Sequence, residues 1–73
     1  MMLNCILIEN DRSTADKMSE YTGNIPFLSL TAACTNAIEA MRVIRNSHID
    51  IAFINIRLPE MSGVEFAKML PET

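Results

Sequence analysis

The residues of this 73-residue chain best suited to chemistry sit at the ends of two short apolar runs. LNCILI (Leu3 to Ile8) is followed at once by Glu9, Asn10 and Asp11, and IAFI (Ile51 to Ile54) by Asn55. Side chains just beyond the carboxyl ends of strands are where α/β proteins gather their ligands. A carboxylate there can hold a hard cation or accept a transferred group, or it can cap the helix that follows. A carboxamide is neutral and a poor nucleophile, so Asn55 poses the sharper question. Pro59 and Gly63 follow it by four and eight residues, in the stretch FINIRLPEMSG. The sequence contains no glycine-rich phosphate loop, no GxSxG elbow and no CxxC, and its one histidine, His48, reads as a surface residue rather than a metal ligand.

The elements that must position these residues can be read from the pattern. Leu3 to Ile8 is apolar on both faces, as a central parallel strand requires. Asp11 or Ser13 can cap a helix from Arg12 to about Thr22, capping being the preferred role for Asp11, with Ala15, Met18 and Tyr21 on the helix's apolar side and Gly23 as its stop. Pro26 breaks the chain, and Phe27 to Ala33 forms the second strand. Asn36 and Glu39 resemble a capping box opening a second helix. In it Ala37, Ile38, Met41 and Ile44 face the core, and Glu39, Arg42 and Arg45 point away. Ile51 to Ile56 is the third strand, and Val64 to Leu70 the last helix. Met41, Ile44, Met61 and Met69 read as core, with Met61 also suited to a contact surface.

The order β-α-β-α-β-α predicts an α/β fold: a flavodoxin-like parallel sheet with right-handed crossovers, helices on both faces and strand order 2-1-3. That order sets the ends of strands one and three side by side, so Glu9, Asn10 and Asp11 meet Asn55. The mildly acidic balance, −3 with six Lys and Arg, argues against nucleic-acid binding by this segment. No apolar run is long enough for a bilayer and no signal peptide opens the chain, which predicts a cytoplasmic protein without membrane contact. Cys5 and Cys34 then read as buried free thiols. At this length a domain buries only roughly 60–65% of its unfolded surface, which favours help from oligomerisation.

With these elements in register, the chain resembles a response regulator receiver domain (CheY-like) along its whole length. Glu9 and Asn10 stand where that family carries an acidic pair, Asn55 where it carries the phosphoacceptor aspartate, and Pro59 and Gly63 at its loop positions. IPFLSL resembles the LytTR-type branch, whose members carry a separate DNA-binding domain. The resemblance implies a magnesium site built from the acceptor, the second acid and the carbonyl two residues beyond the acceptor, here Arg57. With amides at positions 10 and 55 that site is expected to be lost or weak, leaving no cofactor, no catalytic residue and Asn55 as an inactive equivalent of the acceptor.

The family fold has five strands, so residues 1–73 are expected to form a single partial receiver-like domain with its third strand as an open apolar edge. The expected function is therefore a non-phosphorylatable receiver acting as an interaction module, a homodimer formed through that edge or through helical faces. Two alternatives stand beside it: the front of a LytTR-type transcription regulator, and a phosphoacceptor using Glu9 or Asp11 as its carboxylate.

Overall fold

The structure, a computed structural model, describes residues 2–55 and 61–70. Its elements are β1 (Leu3–Ile8), α1 (Arg12–Gly23), β2 (Leu28–Cys34), α2 (Ala37–Asn46), β3 (Ile51–Ile54) and α3 (Gly63–Lys68). The three strands form one sheet in the order β2-β1-β3, with both pairings parallel, the expected architecture. β1 is flanked on both edges and covered on both faces, so Cys5 to Ile8 are all buried. That position explains why its sequence does not alternate.

Period-two geometry sends Ile6 and Ile8 to one face and Cys5 and Leu7 to the other. Ile6 and Ile8 pack with Cys34, Ala37, Ala40 and Phe66, joining α2 and α3 to the sheet in the main core. α1 packs on β1 and β2. Each helix begins on a side-chain cap. Asp11 accepts from the Thr14 amide, Asn36 from Glu39 and Ser62 from Glu65, in each case freeing the first turn of an unmet donor. Among the described residues no buried side-chain polar atom lacks a partner, and no helix is long and apolar enough to cross a membrane.

Several local expectations are corrected. The first helix runs through Gly23, which is not in a left-handed conformation; Asn24 caps it instead, its N–H shared among the carbonyls of Glu20, Tyr21 and Thr22. Tyr21 is 63% exposed, and the buried position is Thr22, whose hydroxyl donates to the Ser19 carbonyl at 3.0 Å. The stripe against the sheet is thus smaller and more polar than an aromatic at position 21 would make it. β2 spans Leu28–Cys34, because Leu28 is the residue that lies opposite Leu3, and Phe27 stays outside and exposed. Between Cys5/Leu30 and Ile6/Ala32 the register slips, leaving Thr31 as an extra exposed residue. On α2, Ala37, Met41 and Ile44 pack on the core as predicted, but Ile38 is 67% exposed and Ala40 takes the buried position instead. Met69 is exposed rather than core. α3 ends at Lys68, two residues before the predicted Leu70.

Candidate functional site

The site is assembled by the backbone before any side chain is considered. The Asn55 amide donates to the Ile8 carbonyl at 2.9 Å, and the Glu9 amide to the Cys34 carbonyl at 2.9 Å. The parallel ladders therefore continue just past β1 and β3 and fix both strand ends at one level. Asp11, three residues beyond Ile8, is drawn into capping α1: its Oδ2 accepts from the Thr14 amide at 2.9 Å and from the Thr14 hydroxyl at 2.6 Å. Those two bonds, the hydroxyl's first, hold the Asp11 carboxyl below its ordinary pKa.

The half-buried Glu9 carboxylate is the centre of the cluster. Its Oε2 accepts from the Asp11 amide at 3.1 Å and from Asn55 Nδ2 at 2.6 Å. Asn55 Nδ2 also donates to Asn10 Oδ1 at 3.3 Å. A carboxylate can only accept, so the Asn55 atom facing Glu9 is its NH₂ group, and the orientation of that amide is set by chemistry. Such a charge-assisted bond is worth about 1.5–3 kcal/mol. The NH₂ group sits between one carboxylate and one amide oxygen, where it acts as a small fixed positive dipole. Among the described residues no group of three or more His, Cys, Asp and Glu could hold a metal ion.

The structure thus brings together Glu9, Asn10 and Asn55, as the strand order predicts, and gives Asp11 its capping role. Gly63 is the buried first residue of α3, whereas Pro59 and the Arg57 carbonyl lie outside the described residues. A crevice of about 260 Å³ opens beside the cluster on the α1 side, lined by Leu7, Thr14, Met18 and Phe53 together with Glu9 and Asn55.

Two contributors escaped the sequence reading. Thr14 was not singled out, although its place three residues after an acidic cap was the available signal. The second is a clamp at the opposite end of the strands. The Asn4 amide donates to Asp50 Oδ2 at 2.8 Å, the Asp50 amide returns a bond to the Asn4 carbonyl at 2.8 Å, and His48 Nε2 lies 2.8 Å from Asp50 Oδ1. This clamp pins the start of β3 to β1 and so helps to fix the register that delivers Asn55.

Fold and strand-end cluster together define a flavodoxin-like α/β domain with its polar residues at the β1/β3 junction. The chain is 32% identical over 73 residues to an uncharacterized response regulatory protein of Vibrio cholerae, covering 99% of this chain and 31% of that protein. It is 30% identical over 73 residues to an uncharacterized response regulatory protein of Yersinia pestis, with the same coverage. The transcriptional regulatory protein BtsR of Escherichia coli is 20% identical over 69 residues, covering 94% of this chain and 29% of that protein. The chain therefore spans about a third of the length of the curated relatives it matches. No protein-family model and no solved structure matches it. A response-regulator receiver-like domain fits both these relatives and the fold.

Proposed function

We propose that this chain is a degenerate receiver domain of two-component signalling, one that takes no phosphoryl group and acts through protein contact. The observation that carries this reading is the 2.6 Å bond from Asn55 Nδ2 to Glu9 Oε2. An amide replaces the nucleophile, and its NH₂ group stands against the one carboxylate of the pair, where a cation would otherwise be drawn. Magnesium asks for hard oxygen ligands in near-octahedral array. A carboxylate already accepting two N–H bonds, beside two carboxamides, does not fit that demand. The names of the relatives support the signalling context, and such a module would work in the cytoplasm.

The contact itself is expected to be a homodimer formed along β3, whose outer edge pairs with no strand among the described residues. The two strands would run antiparallel about a two-fold axis, joining two small sheets into one. We further propose that the domain serves a transcription regulator of the LytTR type, a context supported by the name of the E. coli relative and by the IPFLSL resemblance.

The test is intact-mass measurement after incubation with acetyl phosphate and magnesium. The wild-type chain is expected to gain no phosphoryl group. A phosphoryl adduct on it, abolished by Glu9→Gln or Asp11→Asn, would overturn the proposal in favour of a carboxylate acceptor at that position.

A further inference from the structure

The face opposite the strand-end crevice carries a second feature, independent of the chemistry proposed for Asn55. A groove of about 470 Å³ lies between α2 and α3. Its walls are apolar: Ile38 and Met41 from α2, Phe66 from α3, Met69 from the cap just past α3, and Met61 from the approach to it. Ile38 is 67% exposed and Met69 54%, an unusual exposure for large apolar side chains that share one depression. Arg42 and Arg45 form its rim, and among the described residues neither meets a carboxylate. On α2, positions 38, 41, 42 and 45 fall at i, i+3, i+4 and i+7, so the apolar floor and the cationic rim run along one stripe.

We propose that this groove is the docking site of an amphipathic helix from a protein partner, its apolar stripe flanked by acidic side chains. Helix-in-groove recognition reads apolar anchors at such spacings, and three methionines give the floor the adaptability seen at surfaces that receive a helix. The rim decides the charge of the occupant. Two guanidinium groups that meet no carboxylate among the described residues, in a chain of net charge −3, select carboxylates, which they can grip in bidentate fashion. A second copy is a poorer occupant, because its exposed α1 face mixes Arg12 and Lys17 with Asp16 and Glu20. Two cations are also too few for stable attachment to an anionic membrane, which takes a polybasic cluster or a lipid anchor.

The experiment is selection of binders from a displayed library of amphipathic helical peptides, roughly four turns long, against the wild-type chain, followed by titration of the enriched peptides. The enriched peptides are expected to carry apolar residues at i, i+3/i+4 and i+7 with Asp or Glu beside them. Their affinity is expected to fall by about tenfold or more with Arg42→Glu plus Arg45→Glu, with Ile38→Asp and with added salt. All three substitutions lie at exposed positions, so circular dichroism should read the same fold. Enrichment of neutral or basic peptides, indifference to these variants, or no binder at all would overturn the proposal. So would loss of self-association, or of binding to phosphatidylserine vesicles, in the same variants without any peptide effect.

Discussion

At the scale of single residues, the account turns on a hydrogen bond that exists because position 55 is an amide. Asn55→Asp replaces the donor facing Glu9 with a second carboxylate, turning a 2.6 Å attraction into a repulsion. The variant is expected to lose about 1–3 kcal/mol of stability at neutral pH, and to regain part of it when millimolar magnesium is added. Chemical denaturation with and without the metal reads both effects, and an unchanged midpoint would show that the bond contributes nothing. Asp50 makes a second residue-scale prediction. The Asn4 amide first, and His48 after it, hold its carboxyl below the ordinary value of 3.8. Asp11 is held down likewise by Thr14. A carboxyl whose pKa is lowered by folding stabilises the fold above its unfolded pKa, and that contribution is lost as pH falls through the lower folded value. The denaturation midpoint is therefore expected to decline below about pH 4, and to decline less steeply in Asp50→Asn. A midpoint flat with pH, or an equal slope in the variant, would contradict this role.

At the scale of elements, Gly23 and Phe66 show opposite sides of the fold. Gly23 closes α1 without a left-handed backbone, and a methyl group there would meet open space. Gly23→Ala is therefore expected to stabilise the chain by about 0.5–1 kcal/mol and to raise the Tm by several degrees; a lower Tm would mean the helix end needs glycine. Phe66 is fully buried among Ile6, Ile8, Cys34, Ala37 and Ala40. Phe66→Ala is expected to cost about 3–5 kcal/mol, against a total of about 4–11 kcal/mol for a chain this long, so a large loss of native signal in circular dichroism should follow.

Sequence reasoning saw these elements unevenly, for physical reasons. Apolar runs and caps are local signals, and so β1, the caps Asp11, Asn36 and their helices were legible, as was the 2-1-3 order that juxtaposes Glu9 with Asn55. What depends on a partner across space was not. Whether Ile38 or Ala40 faces the sheet follows from how α2 docks, the Thr31 register slip from how β2 fits β1, and the weight of Phe66 from the one side chain of α3 that reaches the core. The clamp of Asn4, His48 and Asp50 joins residues too far apart in the chain to be paired by inspection.

At the scale of the molecule, the fold is a thin slab, 31 × 30 × 17 Å, with an accessible surface of 5077 Å². Within the slab the interior is nonetheless closed. Cys5 and Cys34 are buried free thiols, and burial raises both thiol pKa values. Both are expected to resist a disulfide reagent in the native protein and to react once denaturant unfolds it; rapid native labelling of either would show that the sheet opens readily.

The dimer proposed along β3 and the inactive site proposed at Asn55 meet in one measurement, the molar mass by light scattering over a concentration series, with and without acetyl phosphate and magnesium. A discrete dimer whose population ignores the phosphodonor is the predicted result. A monomer that assembles only when the phosphodonor and magnesium are present would contradict it, because the site at Asn55 would then be working as a switch.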